Sequence, residues 1–215
     1  MSFEVYDYRK DIRNLLVTPQ IRARFIRLEV GNISGGNQRG QGHSHDLGHE
    51  IFLVLQGKAE FEIEGEIQVL EPGQMCIALV DQTHTVRNIG DEPVIIYLSV
   101  TPHIQPTHTG WIEEGTKAPP HFNLSSAYDV EKDQTTSIDK LVASQRQAAD
   151  ALMEVIESAY QVQCKQLPIL AGKDKKAALE ARDTIWKAIY PMFQQMYELA
   201  DSWNSLTYRT ADTDF

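Results

Sequence analysis

The sequence predicts a mainly β domain, a sandwich or barrel of short strands, followed by an antiparallel pair of helices. Between residues 21 and 100, short apolar or alternating segments are separated by turn residues, a pattern typical of sandwiches and barrels. From about Thr136, apolar residues recur at spacings of three and four, as on one face of a helix. We therefore expect two domains: residues 1–128, containing the strands and a proline-rich connection, and residues 129–215, containing the helices.

The predicted strands are short and closely spaced. Residues 51–55 form an apolar run, as expected for a strand that is buried on both faces. Residues 59–64 alternate apolar and acidic side chains, so only one face of that strand should be buried. The other predicted strands are residues 21–30, 75–80, 83–89 and 93–100. Tight turns are predicted at Gly57, Gly65, Gly73 and residues 90–92.

Residues 101–129 form a connection of a different kind. Prolines at positions 102, 106, 119 and 120 should interrupt any regular element there. Trp111 and Phe122 in the same segment indicate that it packs against the rest of the domain. We expect an ordered connection that wraps the barrel.

Two helical runs follow the connection. Apolar residues at helical spacing extend over residues 138–162 and again over residues 179–203. Pro168 and Gly172 are expected to end the first helix, and Pro191 should kink or split the second. Two long helices joined by a short loop predict an antiparallel hairpin.

Charge and composition exclude several classes of protein. The net charge of −10 disfavours nucleic-acid binding, because an acidic surface repels phosphate. No apolar run approaches the roughly 18 residues of a membrane span, and the first ten residues do not resemble a signal peptide. The two cysteines, Cys76 and Cys164, provide neither a disulfide framework nor a metal knuckle. We expect a cytoplasmic protein with neither nucleic-acid nor membrane partners.

The candidate functional residues lie mainly within residues 43–50. His43 and His45 are two positions apart, so an extended backbone directs both side chains to the same side. Glu50 begins the buried strand that follows the bend, whereas the adjacent His49 should face the opposite side. His84 comes from a later strand. Imidazole and carboxylate are common ligands of transition metals, so we expect a metal site in the mouth of the barrel, between two neighbouring strands.

The spacing of these residues resembles the double motif of the cupins, G(x)5HxH(x)3–4E(x)6G followed by G(x)5PxG(x)2H(x)3N. The matching residues are His43, His45, Glu50 and Gly57 in the first part and Gly73, His84 and Asn88 in the second. The chain departs from the motif at Asn37, Leu79 and Asp81, which replace glycine, proline and glycine. The resemblance covers roughly residues 20–105 and does not extend to the helices.

The resemblance implies a cupin-type jelly-roll β-barrel with a centre of three histidines and one glutamate. The implied metal ligands are His43, His45, Glu50 and His84, and the implied ion is a divalent iron, manganese, zinc or nickel. Asn88 would then support its strand without binding metal. The resemblance also favours a homodimer. The alternative is that the histidines are only polar residues at the rim of a barrel.

Two weaker groups of candidates remain. His103, His108 and His121 in the connection could form a second metal site or line the barrel mouth, but scattered loop histidines are the favoured interpretation. Arg22, Arg24 and Arg27 could pair with a substrate carboxylate, but a solvated strand face or a subunit interface is favoured.

Two hypotheses for the function follow. The first is a metal-dependent enzyme acting on a small organic molecule, by dioxygenase chemistry with iron, or as a lyase, an isomerase or another oxygenase with manganese, nickel or zinc. The alternative is a non-enzymatic module that binds a metal or small ligand and uses the helical hairpin for oligomerisation or partner contact. A metal-free sugar epimerase or isomerase is a third possibility, against which the intact ligand set argues.

Overall fold

A computed structural model describes residues 3–36, 42–113 and 115–211. The described residues fall into two compact units, one extending to Lys132 and including Ala211, the other Asp133–Thr210. The domain boundary predicted after residue 128 lies four residues before this division.

The described part of the first unit contains twelve strands, most of them short. In chain order they are β1 Asn14–Val17, β2 Arg22–Leu28, β3 Ile33–Ser34, β4 His43–Ser44, β5 His49–Gln56, β6 Ala59–Ile63, β7 Glu66–Leu70, β8 Met75–Ala78, β9 His84–Asn88, β10 Val94–Thr101, β11 Thr109–Glu113 and β12 Thr116–Lys117. Every predicted strand is present, with ends within a few residues of those expected.

The strands form two antiparallel sheets that enclose an apolar core. One sheet has the order β1-β2-β10-β5-β8, and the other has the order β12-β11-β4-β9-β6-β7, with β3 also paired to β9. Alternate side chains of the strands face inward, so Val54, Ala59, Phe61 and Ile96 are almost completely buried. Each large apolar side chain buried in this way contributes roughly 1.5–3 kcal/mol. This is the jelly-roll barrel that the resemblance to the cupins implies.

The proline-rich connection contains more regular structure than expected. The strands β11 and β12 and a short 3-10 helix, Ser125–Tyr128, lie between Thr101 and Asp129. β11 pairs with β4 through Thr109 and Gly110. The expectation that prolines would interrupt every element here is wrong, because the prolines lie outside the strands and leave β11 free to hydrogen bond.

The second unit is a hairpin of two helices, α1 Ile138–Leu170 and α2 Lys175–Ala211. Ser137 caps α1 by accepting from the Lys140 amide. The hydroxyl of Ser202, near the end of α2, donates to Gln145 Oε1, near the start of α1, over 2.6 Å, which shows that the helices are antiparallel.

The prolines of the helices have smaller effects than predicted. Pro168 lies inside the last turns of α1, which ends two residues later. α2 is not split at Pro191 but continues through it, so the loss of one backbone hydrogen bond is tolerated within a helix of 37 residues. Among the described residues, neither helix is both long and apolar enough to cross a membrane.

Asn88 joins three segments of the barrel. Its Nδ2 group donates to the carbonyl of Leu28 at 2.9 Å and to that of Glu92 at 2.8 Å. Its Oδ1 accepts from the amide of Gly90 at 2.9 Å. The side chain is buried and lies outside the histidine cluster, so it stabilises the end of β9, as the resemblance implied.

We predict that Asn88→Ala lowers the free energy of unfolding by about 3 kcal/mol, because it removes the hydrogen bonds to the carbonyls of Leu28 and Glu92 and to the amide of Gly90. The measurement is urea unfolding, with Asn32→Ala as a control at an exposed asparagine nearby. Equal stability of the two variants would contradict this role for Asn88.

Candidate metal centre

Four side chains converge between the two sheets, and we call His43, His45, Glu50 and His84 the four-residue cluster. One potential ligand atom from each lies within 4.8 Å of the other three. The Nε2 atoms of His45, His84 and His43 lie 2.7, 2.9 and 4.0 Å from Glu50 Oε2. All four nitrogen and oxygen atoms therefore face one small volume.

Strand pairing explains this convergence. His43 on β4 lies opposite His84 on β9 in one sheet, and Glu50 lies on β5 in the facing sheet. The centre is therefore assembled across both sheets, not from two neighbouring strands alone as the sequence suggested. Gly42 permits the close approach of β4 and β9, because a Cβ atom there would lie 2.8 Å from the backbone nitrogen and oxygen of His84.

Backbone carbonyls orient all three imidazole rings. The Nδ1 atoms of His43 and His84 lie 3.2 and 2.9 Å from the carbonyls of Gly35 and Gln82, and Nδ1 of His45 bonds to the carbonyl of Thr107. A carbonyl oxygen can only accept, so each Nδ1 must carry the hydrogen. A neutral ring therefore directs its Nε2 lone pair toward the centre of the cluster, whereas a protonated ring donates from Nε2 to Glu50 Oε2.

Burial and charge govern protonation in the cluster. Burial alone would raise the pKa of Glu50, but hydrogen bonds with His45 and His84 hold that pKa well below the usual value, so Glu50 is a carboxylate. Burial, together with the neighbouring His84, lowers the pKa of His43 to about 4, so its ring is neutral near pH 7.

This donor set fits a transition-metal ion. The Nε2 atom of His43 is buried without a hydrogen-bond partner among the described residues. Three imidazole lone pairs and one carboxylate oxygen facing each other require a proton or a cation between them. Rings held through Nδ1 by hydrogen-bond acceptors are typical of metal-binding histidines. The cluster is therefore compatible with a metal ion.

His49 faces away from the cluster, as its place in the strand predicted. Its side chain is exposed, whereas the adjacent Glu50 is buried. The Nδ1 atom of His49 accepts a hydrogen bond of 3.0 Å from the amide of Val80.

The three histidines of the connection have three different environments. His108 lies beside the cluster, with its ring centroid 4.8 Å from those of both His43 and His45. His103 is fully buried with its ring edge-on to Tyr128, and His121 is exposed. The interpretation as scattered loop histidines is therefore wrong for His108. Because β11 pairs with β4, the residue just before β11, His108, lies next to the cluster.

A cavity of about 330 Å³ opens onto the cluster. His43, Glu50, His84 and His108 form part of its lining. The rest of the lining combines apolar side chains such as Ile26, Leu28, Phe52 and Leu98 with the arginines Arg22, Arg24 and Arg27 and the polar residues Ser34, Asn123 and Tyr128. A volume of this size suits a small organic ligand.

The arginines of β2 differ in exposure, and one of them is not where the sequence predicted. The side chain of Arg22 is 4% exposed, and its Nη2 atom lies 3.8 Å from Glu50 Oε1. Arg24 is half-buried, and only Arg27, paired with Glu29 at 2.7 Å, has the exposed position predicted for this face. A solvated face or subunit interface is wrong for Arg22, because this side of β2 lines the cavity.

The departures from the motif preserve the local geometry where the structure describes it. Asp81 has a φ of 65°, the left-handed conformation that the glycine of the motif would supply. Its amide donates to the carbonyl of His45 over 2.9 Å. Leu79 is exposed, and Asn37 lies outside the described residues.

Residues 30–101 match the family model of the cupin domain. The polyketide synthase CurC of Streptomyces cyaneus is 27% identical over 125 residues, which cover 58% of this chain and 79% of that protein.

Two solved structures are also similar. An uncharacterized conserved protein with a double-stranded beta-helix domain from Klebsiella pneumoniae has a TM-score of 0.42 and 22% identity, covering 47% of this chain and 91% of its own. The cupin domain of Cnp3 from Schizosaccharomyces pombe has a TM-score of 0.36 and 18% identity, covering 42% and 62%. The family match spans both histidine motifs, so residues 30–101 are identified as a cupin domain.

Proposed function

We propose that this protein is a metal-dependent enzyme acting on a small organic molecule, with His43, His45, Glu50 and His84 as the metal ligands. The observation that carries the proposal is the convergence of three Nε2 lone pairs and Glu50 Oε2, with each Nδ1 hydrogen held by a backbone carbonyl. Iron, manganese, zinc and nickel all accept this donor set.

The cavity beside the cluster supports an enzymatic role. A bound divalent ion would act as a Lewis acid toward a carbonyl or enolate oxygen of the substrate. Ile26, Phe52 and Leu98 would hold the carbon skeleton and exclude water from the reacting end.

His108 is the residue placed to move a proton. It lines the cavity, and its Nδ1 atom lies 2.7 Å from the hydroxyl of Thr107. Burial, with His43 and His45 nearby, lowers its pKa well below the usual value, so its ring is neutral. A neutral imidazole beside the metal would accept a proton from the substrate and return it, as an isomerase, a lyase or an oxygenase acting on an enol requires.

The curated relative supports an oxygen-rich substrate. It is named a polyketide synthase, and polyketide-derived molecules carry the ketone and enol oxygens that a divalent metal binds. We therefore include β-diketones and phenols among the substrates to be tested, with dioxygenase chemistry as the leading reaction if the metal is iron.

The metal site is tested by elemental analysis of protein purified without chelator. We predict about one transition-metal ion per chain in the wild type, and His84→Ala should fall below about a tenth of that content because a ligand is lost. His49→Ala is the matched control, since it removes an exposed histidine next to Glu50 and should leave the metal content unchanged. Wild-type metal content in a folded His84→Ala protein would rule out the proposed coordination.

Activity is tested by oxygen consumption and by loss of substrate with diketones, thiols and phenols, using protein loaded with each metal in turn. We predict turnover with at least one metal. In a His108→Ala protein that retains its metal, the turnover rate should fall by about 100-fold or more, because proton transfer contributes factors of this size. Metal binding without any turnover would favour a binding module instead of an enzyme.

A further inference from the structure

Two arginines face the cavity without adequate counter-charges, and we call Arg22 and Arg24 the arginine pair. They are two positions apart on β2, so both side chains lie on the inner face of the strand, together with Ile26 and Leu28. The Nε atoms of both guanidinium groups are buried and have no hydrogen-bond acceptor among the described residues. Buried donors of a charged group are costly unless they are paired.

The carboxylates nearby do not satisfy the pair. Glu50 Oε1 lies 3.8 Å from Arg22 Nη2, which is beyond hydrogen-bond distance, and Glu50 Oε2 faces the histidines. Asp129, the other carboxylate near Arg24, accepts from the amide and the Nδ2 group of Asn14 at 2.8 and 3.0 Å. Burial and the neighbouring Arg22 lower the pKa of Arg24, as expected for like charges held close together.

The surroundings of the pair define what kind of anion would fit. The guanidinium of Arg22 lies 5.2 Å from the ring centroid of Tyr128, which limits its movement. Ile26, Phe52 and Leu98 line the same cavity with apolar surface, and the four-residue cluster also lines it, with Glu50 next to Arg22. A ligand that fills this space needs an anionic group at one end and an apolar skeleton.

We propose that the arginine pair binds the carboxylate of a small organic acid whose skeleton lies against the apolar lining, beside the four-residue cluster. Planar guanidinium groups match a planar carboxylate through paired hydrogen bonds. This proposal adds a substrate class to the proposed function. It rests on that function only where the bound acid is called a substrate, and the binding of the acid does not depend on it.

The test is calorimetric titration of the full chain, first stripped of metal and then loaded, with benzoate as the probe and benzamide as its uncharged analogue. We expect benzoate to bind the wild type in both states and benzamide to bind at least about tenfold more weakly, since hydrogen bonds to charged groups account for factors of this size. Phenyl phosphate is the third probe, because guanidinium groups also pair with phosphate, and its affinity relative to benzoate distinguishes the two kinds of anion.

Replacing one arginine by glutamine inside the cavity and another outside it shows where benzoate binds. Arg24→Gln should weaken benzoate binding about tenfold or more, and Arg24→Lys should give an intermediate affinity because the charge remains without the planar fork. Arg9→Gln is the control, because Arg9 has a 70% exposed side chain paired with Asp7 outside the cavity, and its benzoate affinity should equal that of the wild type.

Several results would overturn the proposal: no benzoate binding to the wild type at millimolar concentrations, equal affinity for benzamide, tighter binding of phenyl phosphate, or equal losses in Arg24→Gln and Arg9→Gln. Metal content is measured on the same samples and should not change in Arg24→Gln. Benzoate binding by metal-free protein would support the acid site even if the proposed metal-dependent activity failed, so the two proposals fail separately.

Discussion

The interaction on which the site depends is the hydrogen bond from each ligand histidine to a backbone carbonyl. Gly35, Gln82 and the residue preceding His108, Thr107, provide the three acceptors, and they lie in three different segments of the barrel. These bonds fix the tautomer of each ring, so that three Nε2 lone pairs converge on Glu50. Without a cation or added protons, the arrangement places unshared electron pairs and a carboxylate in a buried volume, which is costly.

The barrel makes this arrangement possible because it combines segments from both sheets. The close approach of β4 and β9 at Gly42 brings two histidines together, and β5 supplies Glu50 from the other sheet. Glu50 then connects two parts of the cavity, since Oε2 faces the histidines while Oε1 faces Arg22. A molecule bound in the cavity beside Glu50 would therefore lie within reach of both the four-residue cluster and Arg22.

Much of the fold and the cluster could be predicted from the sequence, because strand alternation and the spacing of His43, His45, Glu50 and His84 are local patterns. The positions of His108 and Arg22 could not, for physical reasons. Alternation shows that Arg22 and Arg24 share a face, but which face is buried depends on how β2 pairs with β10 and packs in the barrel. His108 reaches the cluster only because β11 pairs with β4, a contact between segments far apart in the chain.

The most direct test of the central claim is X-ray absorption spectroscopy of the purified, metal-containing protein at the edge of the bound element. We expect a first shell of nitrogen and oxygen atoms at about 2.0–2.2 Å, with the scattering pattern of three imidazole rings and no sulfur. In His84→Ala that retains some metal, the imidazole contribution should fall by one ring. A shell containing sulfur, or a shell of oxygen alone, would contradict the assignment of His43, His45, Glu50 and His84 as the metal ligands.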